Sequence, residues 1–400
     1  MPTTILPGNS LSQINWRAGV IVESERKCLS MAFQGKKPKN GIVEEDRSDA
    51  GIGGRGDTII VRFTQPNHAA VPKTALANTI GQADGTSYVD VSMTMRFMSL
   101  DGAVPNLPAE QNQVSFDLKR NEIGRVAREW SEIHEASVWR QLAGFTGTVQ
   151  NGPGGPQLPV NQFTDYVMSA GNVVLPPDGI KPSGQGGKWY LVPPTGGGTN
   201  ATETAVASSQ SAVMSTRVID ELVKRWTSRD YVEWPMAPMA TPWGEYFVLV
   251  VGPQGFQQIK LNSSQSDFYD LARAAITGGE GYDSSPIITG EGFRYNNTVV
   301  LKSDFLPPGV QNAGPSAPLG TGVNQANVKR AVFLGARAGH ACYGSGYTGG
   351  NHLGYVDFTA MRNWTFQVDS NWGVNRVVVN ANQPTAESFG GGVISHYSDV

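Results

Sequence analysis

Only two cysteines, Cys28 and Cys342, occur in 400 residues, so the chain has no disulfide framework. Charge is also scarce: 16% of residues are Asp, Glu, Lys or Arg, against a usual ~25%. The formal net charge is −3 and the pI is near 6.0. That balance argues against a protein that grips DNA through one strongly basic face. Apolar residues make up 39%, which together with the small net charge excludes a disordered chain. Long apolar runs are missing. The longest, Tyr246–Val251, falls far short of the ~20 residues that span a bilayer. Met1–Trp16 has no basic start followed by an apolar stretch, so no signal peptide is expected and the protein should be soluble. A coiled coil or helical bundle needs far less glycine than this chain carries.

What is abundant is glycine and proline, 48 and 25 residues. Their distribution is uneven. Residues 145–207 hold 12 glycines and 8 prolines, about a third of that stretch, which reads as a loop-rich insertion with short strands at Asn172–Leu175 and Lys188–Val192. Residues 1–55 are polar and lack steady periodicity. They read as an extended arm that needs a surface outside its own domain. Thr58–Phe63 is β-branched and reads as a strand, and Tyr88–Met98 alternates strictly. Residues 58–112 therefore read as a long two-stranded excursion. An isolated hairpin is marginal in water, so a neighbouring subunit would steady it.

Asp117–Ala143 carries the clearest periodicity. Ile123, Val126, Ala127, Trp130, Ile133, Ser137 and Leu142 repeat at the helical interval, and Arg125/Glu129 and Arg128/Glu132 form i,i+4 pairs. No proline interrupts it, and Gly144 stands where a helix-ending glycine belongs. A second helix is expected over Ser208–Ser228 and a shorter one over Ser266–Ala275. Strands are expected at Tyr246–Val251, Gln257–Leu261, Asn297–Lys302, Ala331–Leu334, Asn363–Val368 and Val374–Asn380. Residues 307–327 read as a loop and Gln383–Val400 as a loose tail.

Motifs for chemistry fail on context. Gly51-Ile-Gly53-Gly-Arg-Gly56 and Gly344-Ser-Gly346-Tyr-Thr-Gly349 match the dinucleotide pattern. Neither sits between a strand and a helix N-terminus, where the pattern works. Gly187-Lys188 lacks the Ser or Thr of a phosphate loop, and no G-x-S-x-G elbow exists. His340, Cys342 and His352 lack metal-ligand spacing, and His68, His134 and His396 stand apart. Glu280, Asp283 and Glu291 are the one acidic cluster available as paired carboxylates, and scattered acids in a glycine-rich loop explain them more simply. Arg55-Gly56-Asp57 and the sequons at Asn200 and Asn363 carry no weight without a secretory route. The sequence nominates no catalytic, cofactor-binding or metal residue and implies no cofactor.

The order of elements, with four passages of sequence, resembles a known family. The passages are Gly54-Arg-Gly56-Asp57-Thr58-Ile-Ile-Val, Phe116-Asp-Leu-Lys-Arg through Trp130 to Gly144, and Pro286-Ile-Ile-Thr-Gly290 through Tyr295-Asn-Asn-Thr-Val-Val-Leu. The fourth is Arg330-Ala-Val-Phe-Leu-Gly335-Ala-Arg-Ala338, followed by Asp357 and Trp372-Gly-Val-Asn-Arg376. Together they resemble tailed-phage major capsid proteins of the Hong Kong 97-type fold, in the Enquatrovirus-type branch. The resemblance implies an α+β fold with an N-arm at 1–55 and an E-loop excursion at 56–115. The spine helix and a peripheral domain would take 116–207, an axial-type domain 208–345, and returning strands and tail 346–400. It implies a virion protein without enzymatic activity, assembled in the bacterial cytoplasm into hexamers and pentamers of an icosahedral head. Expected partners are sister subunits, a scaffold, a portal, decoration proteins, and packaged double-stranded DNA bound without specificity; no membrane is involved. Another virion protein, of the tail or the decoration, is the alternative. A β-rich enzyme acting on polysaccharide is a further one, and it would have to use Glu280, Asp283 and Glu291.

Overall fold

The computed structural model describes residues 29–35, 43–46, 58–64, 88–94, 96–105, 118–143, 148–150, 157–159, 188–195, 200, 202–232, 234–241, 244–262, 292–310, 324–343, 353–360, 363–379 and 387–398. The chain begins there with helix α1 (Leu29–Ala32) and strands β1 (Gln34–Gly35) and β2 (Val43–Asp46). Among the described residues, strands β3 (Thr58–Thr64) and β4 (Tyr88–Thr94) pair only with each other, antiparallel, with Val61 opposite Val91. The expected excursion is thus a two-stranded ribbon, but a shorter one than the sequence suggests. The next strand, β5 (Arg96–Pro105), leaves it and pairs with the body.

Helix α2 (Leu118–Leu142) matches the expected spine helix. Arg125 binds Glu122 and Glu129, and Arg128 binds Glu132, on its exposed side. Ser131 and Ser137 donate their hydroxyl hydrogens to the carbonyls of Ala127 and Ile133, at 2.8 and 2.7 Å, so both buried hydroxyls are satisfied within the helix. Beyond it, β6 (Thr148–Gln150) and β7 (Gln157–Pro159) form a small antiparallel pair. Then come β8 (Trp189–Leu191), α3 (Glu203–Ser208) and α4 (Thr216–Thr227).

The helix expected over 208–228 is shorter, α4 at 216–227, and a separate helix α3 precedes it with a turn between them. Thr202 caps α3 by accepting from the Ala205 amide, and Ser208 ends that helix where the sequence suggests a helix begins. Strands β9 (Met239–Thr241) and β10 (Gly244–Val251) follow. Gln257–Leu261, read as a strand, lies instead in helix α5 (Pro253–Asn262). Proline suits the first helical position, and Gly255, Phe256 and Ile259 form its buried face.

The rest is nearly all strand: β11 (Gly292–Tyr295), β12 (Thr298–Lys302), β13 (Pro308–Val310), β14 (Asn324–Leu334), β15 (Gly339–Tyr343), β16 (Leu353–Ala360), β17 (Asn363–Arg376), β18 (Val378–Val379), β19 (Glu387–Ser388) and β20 (Gly391–Tyr397). The tail reading of 383–400 is overturned, because β20 lies inside the larger sheet between β14 and β8. Its opening Gly391-Gly392 hides it in the sequence. A side chain at Gly392 would meet the Trp226 ring at 2.3 Å, so glycine there lets the strand pass under a buried tryptophan. The expected helix at 266–275 and strand at 172–175 lie outside the described residues, as does most of the 307–327 loop.

The larger sheet runs β11-β12-β10-β14-β20-β8, with β13 and β9 added to β14 and β10. Both its faces are covered. Phe247, Leu249 and Val251 of β10, with Ala331 and Phe333 of β14, pack under α4 and α5 around Trp226. The alternate residues Val248, Val250, Val332 and Leu334 face the other way and pack on Val138, Trp139 and Leu142 of α2. This alternation is the period-two geometry of a strand buried on both sides.

The second sheet runs β1-β2-β15-β17-β16, with β5 on β17. Its Ala341, Trp372 and Val374 enter the same core as the C-terminal half of α2. That shared core welds the two sheets to one helix. The parts of the arm that are described also belong to this body. β2 pairs parallel with β15, and Phe33 is buried beside Leu142, so these stretches lie on their own subunit and not on a surface outside it.

Candidate assembly surfaces and the joint behind them

Among the described residues no group of histidines, cysteines and acids is arranged to hold a metal. No described helix is long and apolar enough to cross a membrane. His134 is fully buried, stacked on Trp130 with centroids 5.0 Å apart and tilted against Trp372 at 4.6 Å. His340 is buried in β15. Cys342 pairs through its backbone with Gly373 on one side and Asp46 on the other. His396 is buried in β20, a separate sheet from His340. His134, His340 and His396 thus lie in packed places apart from one another. Asn200 is buried, and its amide donates to the Val192 carbonyl at 2.7 Å, which makes it a structural residue. Glu280, Asp283, Glu291, His68, His352 and both glycine patterns lie outside the described residues.

Among the described residues, the buried polar contacts knit the larger sheet together and tie it to the end of α2 and, through Arg376, to the second sheet. Arg330 on β14 and Glu203 at the start of α3 form a bidentate pair at 2.7 and 2.9 Å, both about fully buried. Ser395 of β20 donates to the same carboxylate at 2.6 Å and accepts from the Trp189 indole at 2.9 Å. Arg330 also stacks over Trp189, 4.9 Å from its centroid, and donates to the Ala143 carbonyl just past the end of α2. One guanidinium on β14 therefore ties the end of the spine helix to α3 and β8, and through Glu203 to β20.

Two more buried cations fasten the C-terminal strand. Lys188 donates to the carbonyls of Trp234, Ser388 and Phe389. Arg376 donates to the Ser388 hydroxyl at 3.0 Å and the Gly391 carbonyl at 3.1 Å. Sequence reasoning missed all of these. An isolated Lys after a glycine run and an Arg in a strand carry no sequence sign of burial. The one available cue was that Arg330 and Arg376 open and close the fourth resemblance passage.

Outside this joint the molecule presents rigid surfaces. Arg125 and Arg128 line one side of α2, with Arg128 71% exposed. The hairpin of β11 and β12 turns through Asn296 and Asn297, both at positive φ, as a two-residue turn requires. Its tip is held by Asp220 of α4, which accepts from the Tyr295 hydroxyl at 2.9 Å and the Asn296 amide at 2.8 Å. Leu261, at the end of α5, is 74% exposed and is the one large apolar side chain so exposed among the described residues.

A long helix welded to two sheets, with a β ribbon carried outside them, is the architecture of a shell-building subunit of the Hong Kong 97-type fold. The phage capsid protein family model matches residues 15–357. The chain belongs to that family; it is a major capsid protein of a tailed phage and a structural component of the virion. The capsid of Ralstonia phage GP4 is similar in structure, with a TM-score of 0.67 at 16% identity, covering 92% of this chain and 90% of that one. The cyanophage Pam1 capsid gives a TM-score of 0.60 at 13% identity, with 93% of each chain covered. The capsid of Helicobacter pylori bacteriophage KHP30 gives 0.53 at 10% identity, covering 93% and 91%. No curated protein matches the chain.

Proposed function

We propose that this subunit assembles into hexamers and pentamers of an icosahedral head, with its inner surface against packaged double-stranded DNA bound without sequence preference. The carrying observation is the weld itself: α2 and both sheets share one core, so the body is a stiff tile, while the β3–β4 ribbon pairs with nothing else described. A ribbon of two strands gains its stability on a partner, and rings built by such contacts are heterologous and close on themselves. In this reading the larger sheet with α3, α4 and α5 is the axial-type part. The second sheet with α2 is the peripheral part, and β3–β4 is the E-loop.

The four sequence passages favour the Enquatrovirus-type branch, assembly in the host cytoplasm, and the help of scaffold, portal and decoration proteins. The small net charge fits weak, non-specific contact with DNA. Denaturing gel electrophoresis of purified virions tests the assignment against a tail or decoration role. The chain should be the dominant band. A copy number of only a few per particle would contradict it.

A further inference from the structure

Glu135 lies on the embedded half of α2 and is 2% exposed. Its carboxylate accepts from the Ser30 amide at 2.9 Å and from the Ser30 hydroxyl at 2.6 Å. The Trp139 indole, one turn along the helix, supplies a third hydrogen bond. Ser30 belongs to α1, and the whole stretch Leu29–Gly35 carries no charged residue. Among the described residues, the groups acting on this carboxylate are therefore neutral donors. The packed elements do carry charged or titratable groups: Glu132, His134 and Arg140 near it on α2, Asp369 and Arg376 on β17, and Arg96 and Asp101 on β5. None of these is hydrogen-bonded to Glu135 among the described contacts. Arg376 spends its bonds on Ser388 and Gly391.

This differs from the other buried acid, Glu203, which faces a guanidinium. A buried anion held by neutral donors alone is costly to keep charged. Two of its three donors come from Ser30, on a short segment 105 positions earlier in the chain. Without that segment the carboxylate would lose both of those bonds. When it docks, the carboxylate is dried.

We propose that Ser30, Glu135 and Trp139 form a proton-coupled latch that fastens residues 29–35 to the spine helix and opens without unfolding it. Phe33 and Leu29 supply the apolar contact, and Glu135 supplies the control. Burial pushes the Glu135 carboxyl above its ordinary value, against the lowering effect of its donors. A raised value means that the docked state holds the proton more tightly than the undocked one. Docking is then strongest below the ordinary carboxylate range. It weakens as pH rises through the raised value and is level above that. The latch is a property of the single subunit and does not rest on the ring geometry proposed above.

Hydrogen exchange read by mass spectrometry on the full chain tests this, with protection factors for residues 29–35 measured from about pH 4 to about pH 8. The wild-type protection factor should fall as pH rises, by at most about tenfold per pH unit for one proton, while α2 stays protected. Glu135→Gln should flatten the dependence. Ser30→Ala should lower protection of 29–35 at every pH and leave the circular dichroism of the fold unchanged. A wild-type protection factor independent of pH would overturn the latch. So would an unchanged pH dependence in Glu135→Gln, or full protection in Ser30→Ala.

Discussion

The two halves of the spine helix share one regular backbone and live in different media. From Asn121 to Glu129 the exposed positions carry Arg125 and Arg128, which pair with Glu122, Glu129 and, just past this half, Glu132, and water screens every pair. From Trp130 to Ala143 nearly every side chain is buried, including Ser131, His134, Glu135, Ser137 and Gln141. The first half is a helix of the ordinary amphipathic kind. The second half is sealed between two sheets, so each polar group needs a named partner. The contrast explains how one element serves as both surface and joint. It also says where substitutions should matter.

Breaking the embedded end should have the largest effect. Glu203→Ala leaves Arg330 as a buried cation without its anion and should cost about 3–5 kcal/mol, read as a loss in urea unfolding free energy. A cost under about 1 kcal/mol would mean that water reaches the pair. Trp130→Ala follows. The indole is fully buried on His134, inside its own subunit, so truncation should cost about 3–4 kcal/mol in the monomer as well as in the shell. If only shells were weakened, the ring would serve the interface and not the core.

A third effect depends on pH. Burial lowers His396 to about 4, with a smaller opposing bond to the Tyr397 carbonyl and a further lowering by Lys329. The folded value lies below the ordinary 6.5, so this contribution is present above pH 6.5 and is lost as pH falls through about 4. The loss is on the order of 3 kcal/mol, and His396→Gln should remove that acid sensitivity. Its sign is opposite to that of Glu135, so acid should loosen β20 while it tightens the arm. The smallest effect belongs to the outer half. Arg125→Ala removes contacts to Glu122 and Glu129 and should cost under about 1 kcal/mol, less still at high salt. A large, salt-independent cost would erase the distinction between the halves.

The outer half was legible in the sequence because water imposes a period: apolar residues return every third or fourth position and the charges fall between them. β10 was legible as an unbroken apolar run. The inner half showed its helix but not its partners, since Ser30 and Glu135 are 105 positions apart and only the fold joins them. β20 was missed for a related reason. A strand that begins Gly391-Gly392 and carries Ser395 and His396 looks polar and loose until Trp226 and Glu203 are placed against it. Helix α5 was misread because Ile259 and Leu261, two apart, suit a strand, whereas the buried pair Phe256 and Ile259, three apart, suits a helix, and so short a stretch holds both spacings. The capsid assignment came from the ordered passages, and the buried cations that hold the joint gave no local sign.

The most direct measurement is electron microscopy of the purified chain under assembly conditions, alone and with a scaffold. Closed shells, tubes or sheets built from six- and five-membered rings are the expected result. A chain that stays a dilute monomer under every such condition would contradict the account.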